Sequence, residues 1–137
     1  MTQEQSQVLE VVKCYLDGYA KGDVEQCMSV MSGTGPVLMI GTNMDEVLES
    51  GADIRDAIER DMQHMSDIRF GEFSHLQVEA VAGLASVVLQ LPVSFSVDGD
   101  ENRTIMRFAV TLKPEAGDWK MCSCLVSVPF DAGTYLF

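Results

Sequence analysis

The sequence predicts an α+β domain in which three helices pack on the concave face of a curved antiparallel sheet. Three observations lead there: helical apolar spacing confined to the first half of the chain, a change of hydrophobic period near residue 67, and an unbroken alternation of apolar residues between 85 and 97. Helices first and strands afterwards is the order of an α+β fold, not of repeating βαβ units.

Residues 3–21 read as an amphipathic helix, with Val8, Val12, Tyr15 and Tyr19 at helical spacing and Leu9 and Leu16 widening the stripe. Gly22 supplies a left-handed stop. Asp23 followed by Gln26 forms a capping-box pattern for a short second helix, whose buried face is Val24, Cys27, Met28 and Met31. Ser32-Gly-Thr-Gly-Pro36 ends it. Residues 37–40 are wholly apolar and read as a strand covered on both sides. A loop over 41–46 leads to Ser50, which with Asp53 caps a third helix marked by Ile54, Ala57 or Ile58, Met62 and Met65. On that helix Arg55 with Glu59 and Asp56 with Arg60 form i,i+4 pairs that suit surface support.

After residue 67 the period is two. Leu76, Val78, Ala80 and Ala82 alternate with polar residues up to Gly83. The run from Ala85 through Val87, Leu89, Leu91, Val93 and Phe95 to Val97 alternates strictly, and Asp98-Gly99 marks a hairpin turn. Met106, Phe108, Val110 and Leu112 continue the pattern, and residues 119–128 make the last strand. Simple alternation there places Cys122, Cys124, Val126 and Val128 on one side and Trp119, Met121 and Leu125 on the other. Strands of this length must twist and curl, with bends expected at Phe70-Gly71 and Pro92. A cone of this kind is not sealed at its wide end, so a pocket follows.

One domain over residues 1–137 is expected, since no linker divides the chain. Its 21 acidic against 9 basic residues give a net charge of −12, which excludes nucleic acid and membrane surfaces as primary partners. Nothing in the first residues reads as a signal peptide, and no apolar run is long enough for a membrane span. The four cysteines, Cys14, Cys27, Cys122 and Cys124, therefore read as buried thiols of a cytoplasmic protein. Neither their spacing nor the two histidines suit zinc, and no metal or cofactor is expected.

Particular segments also resemble a known family. Tyr15-Leu-Asp-Gly-Tyr-Ala-Lys-Gly-Asp-Val24 resembles the opening of NTF2-like proteins, which include the ketosteroid isomerases. Ile40-Gly-Thr-Asn-Met-Asp-Glu-Val47, then Ile54-Arg-Asp-Ala-Ile-Glu-Arg-Asp61, look like the SnoaL-like branch, as do Trp119 and the closing Ser127-Val-Pro129. The resemblance implies the cone fold and places Tyr15 where the isomerases carry an oxyanion-binding tyrosine. It also shows departures. The isomerase base would fall within residues 37–40, and its second oxyanion donor falls at Phe108. Leu125 replaces the histidine that related proteins carry two residues before the final Ser-x-Pro. Proton abstraction by the isomerase route has no agent at these positions.

The expected pocket wall is Tyr15, Tyr19, Met39, Ile58, Met62, Phe108 and Trp119, and the expected ligand an apolar or aromatic small molecule. The tyrosine spacing equally fits a core stripe with polar tips, and the methionines equally fit core filler. His64 and His75 read as structural or solvent-facing, and Arg107 as projecting to water, with a reach to Asp61 or an anionic ligand the sharper alternative. Three function classes stay open: a binding domain, an isomerase, cyclase or hydratase using Tyr15 with Asp45 or Asp61, and an interaction module with a filled pocket. Apolar residues on both faces of the late strands, with the tail at 135–137, point to a homodimer through the outer face of the sheet.

Overall fold

The computed structural model describes residues 1–130, so the apolar tail at 135–137 lies outside the described residues. Local signals determine the helices. Helix α1 (Gln3–Lys21) starts at a capping box in which Thr2 accepts from the Gln5 N–H and the Gln5 side chain accepts in return, and it ends on Gly22 at φ 72°. Helix α2 (Val24–Ser29) is capped by Asp23, which accepts from the Gln26 N–H. The Gln26 side chain does not close a box. It reaches α1 instead, donating to the Cys14 carbonyl at 3.0 Å and to Asp17 at 2.8 Å. Helix α3 (Gly51–His64) begins at Ser50, whose hydroxyl accepts from the Asp53 N–H. On it Arg55 pairs with Glu25 of α2 as well as with Glu59, whereas Arg60 forms no ion pair with Asp56 or any other described residue.

Strands β1 (Leu38–Ile40), β2 (Val47–Leu48), β3 (Ser66–Phe70), β4 (His75–Val81), β5 (Leu84–Val97), β6 (Asp100–Glu115) and β7 (Asp118–Ser127) form one sheet in the order β2-β1-β7-β6-β5-β3, with β4 also on β5. The sheet is mixed rather than wholly antiparallel, because β1 runs parallel to β7. β1 also departs from expectation in its exposure. Only Met39 is buried, while Leu38 and Ile40 face outward.

β5 carries both β4, on residues 84–90, and β3, on residues 93–96. The change of partner falls at Pro92, whose carbonyl accepts from the Gly71 N–H at 2.9 Å. A Cβ on Gly71 would stand 2.5 Å from the Pro92 ring, so only glycine fits this corner. The bend expected from the sequence is there, and it curls the sheet around α1 and α3.

Val87, Leu89 and Leu91 of β5, with Val110 and Leu112 of β6, meet Val8 and Val12 of α1 and Ile54 of α3 in the core. Strand β7 corrects the simple alternation. Leu112 pairs with Met121 but Thr111 pairs with Ser123, so Cys122 is an extra, bulged residue. Met121 and Cys124 therefore both face the core, although simple alternation put them on opposite sides. The opposite edge of β7 explains where the bulge sits. Met121 donates to the Val30 carbonyl at 2.8 Å and accepts from the Ser32 N–H at 2.9 Å, so the end of α2 is stitched to the strand there.

All four thiols are free, with Cys27 and Cys124 buried and Cys14 and Cys122 half-buried. Burial pushes both buried thiols up to about 12. No described helix is long and apolar enough to cross a membrane.

Two outcomes follow. In the turn joining β6 to β7, Ala116 and Gly117 have φ of 52° and 87°, a conformation alanine adopts only under strain. Ala116→Asn should stabilise the fold by about 0.5–1 kcal/mol, read from denaturant midpoints at unchanged m-value. Alkylation at pH 8 should spare Cys27 and Cys124 in the native protein and modify all four cysteines in denaturant, read by intact mass.

Candidate functional site

The curled sheet and the helices enclose a cavity of about 540 Å³, within the usual size for small-molecule sites. Helix α1 contributes Tyr15 and Tyr19, one turn apart on the same face. Helix α3 contributes a graded face, with Ala57 and Ile58 followed by Arg60, Asp61 and His64 toward its C-terminus. The sheet supplies apolar wall through Val93 and Phe95 of β5, Met106 and Phe108 of β6, and Val126 of β7. The β1–β2 loop forms a rim, with Asn43 donating to Glu46 and the Gly41 N–H donating to the Glu46 carbonyl.

The polar side of the cavity is organised by one hydrogen bond. Tyr19 donates its hydroxyl to Asp61 Oδ2 at 2.7 Å, joining α1 to α3. Burial, then the Asp61 charge, then this bond, raise Tyr19 well above the usual phenol range, so it stays protonated. Tyr15 is raised as well, by burial first and then by the neighbouring Cys124. Its ring lies 6.2 Å from that of Tyr19, and Tyr19 lies 6.2 Å from Phe70. Tyr15 is 6% exposed and its hydroxyl has no hydrogen-bond partner among the described residues. Among the described residues no fully enclosed side-chain oxygen or nitrogen is left unpaired, so the Tyr15 oxygen opens onto the cavity. His64 Nδ1 lies 2.8 Å from the Arg60 carbonyl. A carbonyl only accepts, so Nδ1 carries the proton in that contact.

Of the expected wall, Tyr15, Tyr19, Met39, Ile58 and Phe108 come together around the cavity, and Met62 and Trp119 do not. Successive helical residues turn by about 100°, and Met62 falls just past the arc that runs from Arg60 to Ile58. It packs toward Gly22 at the end of α1. Trp119 pairs with Pro114 at the start of β7. The cavity begins seven residues further along that strand, at Val126, about 23 Å away.

Asp45 is exposed and outside the lining, leaving Asp61 as the carboxylate of the pair that the sequence put forward. Arg107 reaches neither Asp61 nor the cavity and donates to Gln90 at 2.8 Å on the outer face. The sequence reading missed His64, although it lies three residues after Asp61 and hence on the same helical face. Met106 was legible as an inward position two residues before Phe108. Nothing local announces Asn43 and Glu46, which reach the rim through the loop's own fold.

The fold is widely shared. An NTF2-like family protein from Streptomyces avermitilis superposes with a TM-score of 0.85 at 15% identity, over 93% of this chain and 97% of its own. An NTF2-like protein from Pseudomonas putida gives 0.80 at 18% identity, over 98% and 92%. A ketosteroid isomerase-like protein from Erwinia carotovora gives 0.80 at 13%, over 96% and 100%. No curated protein matches the sequence. The family model described as the SnoaL-like domain matches residues 8–131, nearly the whole cone and all of the cavity wall, and the chain belongs to that family.

Proposed function

We propose that the domain binds an apolar or aromatic small molecule in this cavity. The observation that carries the reading is the open volume itself, about 540 Å³ walled by Met39, Ile58, Met106 and Phe108. The same side chains packed together would have made a closed core. Burying an apolar ligand there contributes about 25 cal/mol per Å² with few directional contacts, so shape governs most of the selection. An enzymatic reading is favoured by one feature, the Tyr19–Asp61 bond, which fixes a carboxylate on the same cavity that Tyr15 lines. In that reading Asp61 transfers the proton and Tyr15 stabilises the developing oxyanion.

We also propose a homodimer through the outer face of the sheet. Val88, Ala109, Leu125, Ile40 and Val47 stand in register across five neighbouring strands, all of them exposed. Ile105 extends the patch. A flat apolar row of this kind on one copy is covered when it meets the same row on another.

Thermal-shift screening with hydrophobic metabolites checks the first proposal. A compound at a hundredfold its Kd should raise Tm by on the order of 10 °C, and Met106→Trp, which fills the cavity, should abolish the shift while keeping the fold. No shift from any compound would favour the filled interaction module. Light scattering checks the second: a dimer at micromolar concentration for the native chain and a monomer for Leu125→Glu. A native monomer at that concentration would remove the argument.

A further inference from the structure

On the less exposed part of the helical wall two polar groups, Tyr15 and Asp61, have unused hydrogen-bonding capacity of opposite kinds, whereas Arg60 and His64, which also line the cavity, stand exposed. The Tyr15 hydroxyl, on a side chain that is 6% exposed, opens onto the cavity with a proton to give. Asp61 accepts from Tyr19 on Oδ2, and its Oδ1 has no partner among the described residues. A carboxylate oxygen only accepts. Tyr19 has committed its single proton and has none left for a ligand. The pair is therefore one open donor and one open acceptor on the same wall, on adjoining helices, with Tyr15 and Tyr19 rings 6.2 Å apart. Across the cavity Met106, Phe108 and Val126 offer no hydrogen bond, and the sheet wall's hydroxyl, Thr104, lies further along β6 from the core.

Ligand groups divide sharply against such a pair. A ketone accepts from Tyr15 but turns its second lone pair toward the carboxylate. An ether does the same. An ammonium gives to Asp61 but cannot accept from Tyr15, and a carboxylate is repelled by Asp61. A hydroxyl does both from one atom. We propose that the ligand is an alcohol or phenol on an apolar frame, its hydroxyl accepting from Tyr15 and donating to Asp61. This rests on the cavity being the ligand site and adds the chemical group that site selects. It also gives Tyr19 a positioning role: by holding Oδ2, it turns Oδ1 to the ligand.

The test uses three naphthalenes of similar size on the full chain: 2-naphthol, 2-methoxynaphthalene and 2-acetylnaphthalene, with Kd from calorimetry. The native protein should bind the naphthol about ten-fold or more tightly than either of the others. Tyr15→Phe removes one oxygen and should weaken the naphthol by a similar factor. Asp61→Asn should reverse the order. Its amide oxygen can accept from Tyr19, which turns the amide NH2 to the cavity as a donor that suits the ketone. Retained Tm and far-UV circular dichroism certify each variant. If the three compounds bind the native protein equally, or if Asp61→Asn keeps the naphthol preference, the hydroxyl assignment is wrong while the cavity stands. If none of them binds, the cavity reading falls and this inference falls with it.

Discussion

The long antiparallel ribbon of β5 and β6 is the constraint on which the rest of the molecule depends. Thirteen register pairs run from Ala85–Leu112 to Val97–Asp100, and they space the inward residues that these two strands give to the core and to the cavity wall. A ribbon this long cannot stay flat, and the corner at Gly71 and Pro92 decides where it turns. On one side of that corner the inward positions Val87, Leu89 and Leu91 meet α1 and become core. On the other, Val93 and Phe95 diverge from the helices and become cavity wall. Core and site are thus one alternation read on two sides of a bend.

The cavity's polar side follows from how the helices lie on that ribbon. Tyr15 and Tyr19 are consecutive turns of one helical stripe, yet they meet different fates. Tyr19 reaches α3 and spends its proton on Asp61, while Tyr15, one turn deeper, meets no partner and faces open space. A buried, unpartnered hydroxyl is costly in a closed core and useful in a binding site. The acidity of the chain, a net charge of −12, is mostly a property of its exterior and says little about this pair.

What the sequence made legible was whatever is encoded locally. The bounds of α1, the caps at Asp23 and Ser50, the hairpin at Asp98-Gly99 and the inward face of β5 each depend on residues within a turn or two. The misreadings share a different cause. The parallel pairing of β1 with β7 and the bulge at Cys122 involve contacts from the far end of the chain, among them the bonds that Met121 makes with the Val30 carbonyl and the Ser32 N–H, and Trp119 falls at the wrong end of its strand for the cavity. In the site, Tyr15, Tyr19, Met39, Ile58 and Phe108 were found because inward periodicity marks them. Met62 was lost to a helical phase difference too small for apolar spacing to resolve. The Asn43–Glu46 rim was missed because loop geometry has no period.

The stitching of residues 30–32 and 38–40 onto β7 bears on how the chain can fold as it is made. The last strand is the one that receives the first third of the polypeptide, so the helices have no complete cover until nearly all of the sequence has emerged. Val8, Val12 and Ile54, all but inaccessible in the finished molecule, must wait with their apolar faces open. Contacts of such long sequence separation slow the closing step, because the loop entropy is lost before the pairing energy is gained. A chain halted before residue 121 would keep its ribbon and helices but leave the edge of β6 and the end of α2 unpaired, the kind of surface that draws in other chains.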